Sequence, residues 1–165
     1  MPFLLVLCLA IFVYDVLYRR VPNNLLLLAL LIHAGFLMIA GHSFAGIDVW
    51  QSAIGGAIAF AVFLPLYLLR MMGAGDVKFF TLLGFLLGIQ YLAITWLVAS
   101  LMAGLHAAAW IAWQHGITAD IPALGQMAHK IADSRFYQRM VQQRSGRKGI
   151  PYAAYLACAA LVATA

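Results

Sequence analysis

The chain is a succession of long apolar stretches, from about Met1 to Leu17, Leu25 to Ala40, Val49 to Leu69, Val77 to Trp113, and Ile150 to the C-terminus. Lipid offers the backbone no hydrogen-bond partner, so a spanning helix needs roughly 17–25 mostly apolar residues. The stretch from Val77 to Trp113 is long enough for two short spans folded back on each other, with Gly88-Ile89-Gln90 as the expected turn. The sequence therefore predicts an all-α, polytopic helical bundle with about six transmembrane helices. It reads as one membrane-embedded unit over residues 1–165.

Composition removes the alternatives. Hydrophobic residues make up 65% of the 165 and charged ones 9%, where a soluble domain carries about a quarter charged. That excludes an ordinary water-soluble enzyme, a disordered tail, and a nucleic-acid binder relying on a basic surface. All five acids are aspartates, so no zinc-hydrolase motif that needs Glu, such as His-Glu-x-x-His, is available. Cys8 and Cys158 lie at opposite ends of the chain, and no C-x-x-C pair exists. The histidines show no i, i+3 or i, i+4 pairing, and His33 and His106 are expected to hydrogen-bond within the bundle. No metal and no cofactor are expected. A cleaved signal peptide carries its positive charge ahead of its apolar run. Here Arg19-Arg20 follow it, so the first stretch reads as a retained span.

Charge placement orients the bundle. With six spans, the first connection holds Arg19 and Arg20, and the third holds Arg70 and Lys78. The fifth holds Lys130, Arg135, Arg139, Arg144, Arg147 and Lys148, which completes the ten basic residues. The second and fourth connections, around Gly41–Asp48 and Gly88–Gln90, carry none. Lys and Arg near span ends collect on the cytoplasmic side, which places both termini outside and the odd-numbered connections in the cytoplasm. Residues 114–149 form the sizeable polar loop. Between Ala123 and Val141, apolar residues at roughly helical spacing alternate with Lys130, Arg135 and Arg139. This predicts an amphipathic cytoplasmic helix on the anionic inner leaflet.

Two acids need explaining. Asp15 lies within the last turn or so of the first span, and Asp76 opens the fourth. An ionisable group at membrane depth is costly and points to function. Both are on the cytoplasmic side, so they can meet if spans one and four pack together. Carboxylates brought close cannot both ionise easily and share a proton. One then activates water while the other protonates a carbonyl or leaving amine. Ser43 and Ser100 lack the glycines of a nucleophile elbow. Gly73 and Gly75 suit the seating of an extended substrate beside Asp76. Pro22 ends helical propagation and Asn23 can cap the next span, while Asp48 is expected to cap the third. Lys78 reads as an interface anchor able to steady a charged Asp76. A proton-coupled transporter would explain the buried acids but not the glycines or Val21-Pro22-Asn23. A non-catalytic assembly factor for a pilus or secretion machine is a third reading.

Three elements carry a resemblance: Asp15 followed by Val21-Pro22-Asn23, then Gly73-Ala74-Gly75-Asp76-Val77-Lys78, then Lys148-Gly149-Ile150-Pro151-Tyr152-Ala153. In order, spacing and sidedness they resemble the type IV prepilin peptidases, bacterial members of the G-x-G-D intramembrane aspartyl proteases. The resemblance implies an endopeptidase of the bacterial inner membrane that removes the basic leader from prepilins at the cytoplasmic face. It implies Asp15 and Asp76 as the catalytic pair, with Gly73 and Gly75 shaping the loop and Lys78 a motif member. Larger members carry an N-terminal cytoplasmic segment with paired C-x-x-C zinc ligands and methylate the new pilin N-terminus. This chain begins directly at the first span without C-x-x-C, so methylation is not expected. The short form is similar to the peptidases of tight-adherence (Flp-type) pili, though a secretion or competence pseudopilus would fit it equally. The expected partners are membrane-anchored prepilins and the anionic leaflet, with no nucleic acid.

Overall fold

A computed structural model describes residues 2–114 and 150–164. Within them the chain is helical: α1 (Pro2–Tyr18), α2 (Asn23–Ala40), α3 (Val49–Leu68), α4 (Ala74–Gln114) and α5 (Tyr152–Ala163). The amphipathic helix expected over 123–141, and the basic residues of the fifth connection, lie outside the described residues.

Helix boundaries follow local chemistry. α1 stops where Arg19 turns left-handed (φ 52°), and Pro22 then occupies the cap position of α2 in extended backbone. α2 ends on Gly41 (φ 74°), whose N–H returns to the Leu37 carbonyl. This is the left-handed cap that glycine supplies without a Cβ penalty. Asp48 caps α3 by accepting the Gln51 N–H at 2.6 Å, as expected. Pro151 precedes α5, where a missing N–H costs a helix nothing.

α4 is two arms, 74–87 and 89–114, broken at Gly88 (φ 72°, ψ −179°). The break is a reversal. Phe63 of α3 packs on Phe80 at 3.9 Å between ring centroids and on Trp96 at 6.2 Å. In a straight helix those sixteen residues of separation would span roughly 24 Å. The turn thus falls where the glycine predicted it.

A broken helix leaves the carbonyls of its last turn without donors, and two serines supply them. Ser52 Oγ donates to the Phe85 carbonyl at 2.6 Å and Ser43 Oγ to the Leu86 carbonyl at 2.7 Å. His33 Nε2 lies 3.2 Å from Ser52 Oγ, so this histidine is hydrogen-bonded within the bundle. His106 Nδ1 is likewise 2.6 Å from the Tyr155 hydroxyl.

Small residues let the helices close on one another. A Cβ added at Gly84 would meet the Gly55 carbonyl oxygen at 2.5 Å and Ala59 Cβ at 2.8 Å, a backbone approach typical of membrane helix pairs. α5 packs against both α1 and α4 through Ala153, Ala154, Ala157 and Ala160, all buried. Leu4, Leu7, Cys8 and Ile11 form the matching stripe on α1, while Leu5, Leu9 and Val13 face outward, half exposed. Water would not tolerate so extensive an apolar exterior. α2, α3 and the whole α4 run are each long and apolar enough to cross a membrane. α1 and α5 are shorter apolar helices, so six full crossings are not established by helix length.

Candidate active site

Both acids come to the same end of the bundle. Asp15 sits in the last turn of α1 and Asp76 in the first turn of α4. The two line one cavity of about 710 Å³, together with Arg19, Arg20, Gly73, Gly75 and Lys78. Their carboxyl groups are close enough to interact electrostatically. Asp15 is buried, with 5% of its surface exposed. The second connection and the Gly88 turn meet elsewhere, where Ser43 and Ile47 contact Leu86 and Gly88.

The start of α5 lies against the carboxylates. Ala154 N–H donates to Asp15 Oδ2 at 2.9 Å, and the Ala153 and Gly73 amides lie near enough to the Asp76 carboxyl to favour its charged form. Ala153 and Ala154 belong to the first helical turn, whose N–H groups have no acceptor inside the helix. Asp15, from a distant segment, takes the place of a capping side chain. The positive end of the α5 dipole favours negative charge at that point. Tyr152 adds a side-chain tie: its hydroxyl lies 3.1 Å from Ser100 Oγ on the second arm of α4. Tyr152 is also within electrostatic reach of Asp76.

Several expectations for the flanking residues change. Asn23 does not cap α2: Pro22 holds that position without a side-chain bond, and the Asn23 Oδ1 instead accepts Lys78 Nζ at 3.1 Å. Lys78 therefore ties the α2 start to α4. Gly73 and Gly75 are not among the residues in left-handed backbone; they serve close approach. A Cβ on Gly73 would stand 3.0 Å from Asp76 Oδ2, and one on Gly75 3.1 Å from Val21 Cβ. Val21 of the Val-Pro-Asn element thus packs directly on the glycine beside Asp76. Pro22 lies outside the cavity lining and acts through the chain direction it sets.

The contribution of α5 was not foreseen beyond the likeness of its opening residues. Its donors are backbone amides, which leave no trace in residue identity; only Pro151, marking a helix start, hinted at them. Among the described residues no group of three His, Cys or acidic side chains is placed to hold a metal ion.

The profile of the type IV leader peptidase family matches residues 2–117, which include both acids and both glycines. The chain belongs to this family. It is also 29% identical over 106 residues to the prepilin leader peptidase/N-methyltransferase of Bacillus subtilis (strain 168), a match covering 62% of this chain and 41% of that protein. The chain therefore spans well under half the length of that relative. No solved structure matches it. Family membership and the apolar helices together make this a membrane protein.

Proposed function

We propose that the protein is an intramembrane aspartyl endopeptidase that removes the basic leader from type IV prepilins, of the Flp-like kind, at the cytoplasmic face of the bacterial inner membrane. The observation that carries this reading is the convergence of Asp15 and Asp76 on one cavity beside the first turn of α5, whose Ala154 amide holds Asp15.

The chemistry follows from a shared proton. The ionised carboxylate takes a proton from water as the water oxygen attacks the scissile carbonyl carbon. The protonated partner gives its proton to the carbonyl oxygen, forming a tetrahedral diol. Collapse of the diol breaks the C–N bond: the carboxyl that took the water proton passes it to the leaving amine, and the other carboxylate takes back a hydroxyl proton as the new carboxyl group forms, which restores the starting pair. The amides of α5 and Gly73 beside the carboxyl groups are fixed throughout, so little reorganisation is required at the reacting atoms.

Sidedness supports the substrate. In the six-crossing arrangement, with both termini outside, the cavity opens to the cytoplasm, where the leader of a prepilin begins and its apolar helix enters lipid. Water reaches the site from that side. Arg19, Arg20 and Lys78 around the cavity suit carbonyl or carboxylate groups near the scissile bond. The leader's own cations then project toward the anionic headgroups.

The test is cleavage of a type IV prepilin by the detergent-solubilised protein. Cleavage is expected from the native chain and from neither Asp15→Asn nor Asp76→Asn. Persistent cleavage in either variant rules out the pair mechanism, while absent cleavage with aspartate-dependent proton flux in vesicles transfers the protein to the transporter reading.

A further inference from the structure

Beside the cavity that holds the acids lies a second hollow of about 450 Å³. The two share Asn23 and Lys78, the pair joined by a 3.1 Å hydrogen bond, so a polar partition separates them. Beyond it the lining becomes apolar: Leu26, Leu27 and Leu30 from α2, Phe60 from α3, Leu82 and Phe85 from α4. On α4, Lys78, Thr81, Leu82 and Phe85 recur at i, i+3, i+4 and i+7, one continuous helical stripe. α2 is sparsely packed, with Leu26, Ala29 and His33 its buried residues. Leu27 and Phe60 keep 57% and 45% of their surface exposed. The hollow therefore opens laterally toward lipid as well as lengthwise toward the acids.

Resting on the peptidase reading above, we propose that this hollow is a docking groove for the first turns of the substrate's apolar helix. The order of polarity along its wall is the argument. From the carboxylates it passes to Lys78 and Asn23, then Thr81, then Leu82, Leu30, Phe60 and Phe85. A membrane-anchored chain with a polar leader followed by an apolar helix carries the same order. Laid along the α4 stripe, it sets its polar-to-apolar junction at the partition and the bond to be cut beside Asp15 and Asp76. An amphipathic or apolar helix seated in a groove is read through anchors at this i, i+3, i+4, i+7 spacing. Lipid tails are as apolar as the helix, so seating draws on side-chain packing. The groove sets register and selects helix-bearing substrates over free leader peptides.

The test compares two substrates in detergent: a type IV prepilin with its helix, and a truncated peptide ending just past the scissile bond. Leu30→Trp and Phe60→Trp fill the groove from facing walls, and Leu31→Trp, 61% exposed and outside the groove, is the control. The preference in kcat/KM for prepilin over peptide is expected to fall about tenfold in both filled variants, the scale of a good intramembrane packing contact, and to hold in the control. A photo-reactive phenylalanine analogue at position 30 is expected to capture the prepilin helix, a readout that stands even if tryptophan is not tolerated. An unchanged preference in the filled variants, or adducts to lipid alone, overturns the groove while leaving the peptidase reading intact. A native chain that cuts neither substrate overturns the peptidase reading and the groove with it.

Discussion

Asp15 and Ala154 are joined across the bundle: the Asp15 Oδ2 accepts the Ala154 N–H at 2.9 Å, and both residues are buried. The neighbouring amide, Ala153, lies near the Asp76 carboxyl. Neither N–H has work to do inside α5, since the first turn of a helix lacks acceptors for its donors. The acids are thus brought together by a helix that supplies no acid of its own, and the site is complete only when α5 has docked between α1 and α4.

This arrangement separates the stabilising role of Asp15 from its chemistry. Asp15→Asn retains a carbonyl oxygen able to accept the Ala154 N–H, whereas Asp15→Ala leaves a buried donor unpaired, at about 1–3 kcal/mol. Both variants are expected to lose cleavage. Thermal unfolding in detergent should leave the midpoint of the Asn variant near native and lower that of the Ala variant by several degrees. Equal destabilisation would show that the charge, rather than the acceptor, is what α5 requires.

The two motif glycines should differ in effect. A methyl on Gly73 meets Asp76 Oδ2 itself, while one on Gly75 meets the Val21 side chain, away from the carboxyl groups. Displacing a reacting group by a fraction of an ångström toward 1 Å costs up to about a hundredfold. Gly73→Ala is therefore expected to lower kcat by roughly ten- to a hundredfold with an unchanged melting midpoint, and Gly75→Ala by less. The opposite ranking would mean that packing of the α1–α2 connection, not carboxylate placement, limits the reaction.

At the α3–α4 contact the steric argument concerns folding. Gly84 faces backbone, with the Gly55 carbonyl oxygen 2.5 Å from an ideal Cβ, whereas nothing lies within 4 Å of one on Gly104. Overpacking of a tight contact costs about 1–3 kcal/mol and more where backbone must move. Gly84→Leu should sharply reduce the yield of folded protein on size-exclusion chromatography, and Gly104→Leu should not.

The sequence made part of this legible and hid the rest for physical reasons. Helices α1 to α3 and the reversal at Gly88 were readable because lipid demands long apolar helices and because glycine is the residue that tolerates φ 72°. Asp15 and Asp76 stood out because charge at membrane depth is expensive. Asn23 was misassigned as a cap, since cap propensity is local and the Lys78 side chain that claims its oxygen comes 55 residues later. Gly73 and Gly75 were read as seating a substrate, whereas what they approach closely is the Asp76 carboxyl and Val21 of the chain itself. The amides of Ala153 and Ala154 were invisible, because every residue except proline carries that donor.

Tyr152 gives the sharpest remaining test of the α5 clamp. Its hydroxyl, 3.1 Å from Ser100 Oγ, fixes the first residue of α5 to the second arm of α4, immediately before the amides beside the acids. Phe at this position keeps the ring and its packing while removing the tie. A neutral hydrogen bond contributes about 0.5–1.5 kcal/mol, so Tyr152→Phe is expected to lower kcat roughly three- to tenfold with KM unchanged. Ser100→Ala removes the same bond from the other side and should match it, while Ser100→Thr, which keeps a hydroxyl, should restore most of the rate. Because a single bond is being broken twice, the double variant should be no slower than either single one. A double variant whose loss equals the product of the singles would show that Tyr152 and Ser100 act through separate contacts, and that the start of α5 is held by something other than this pair.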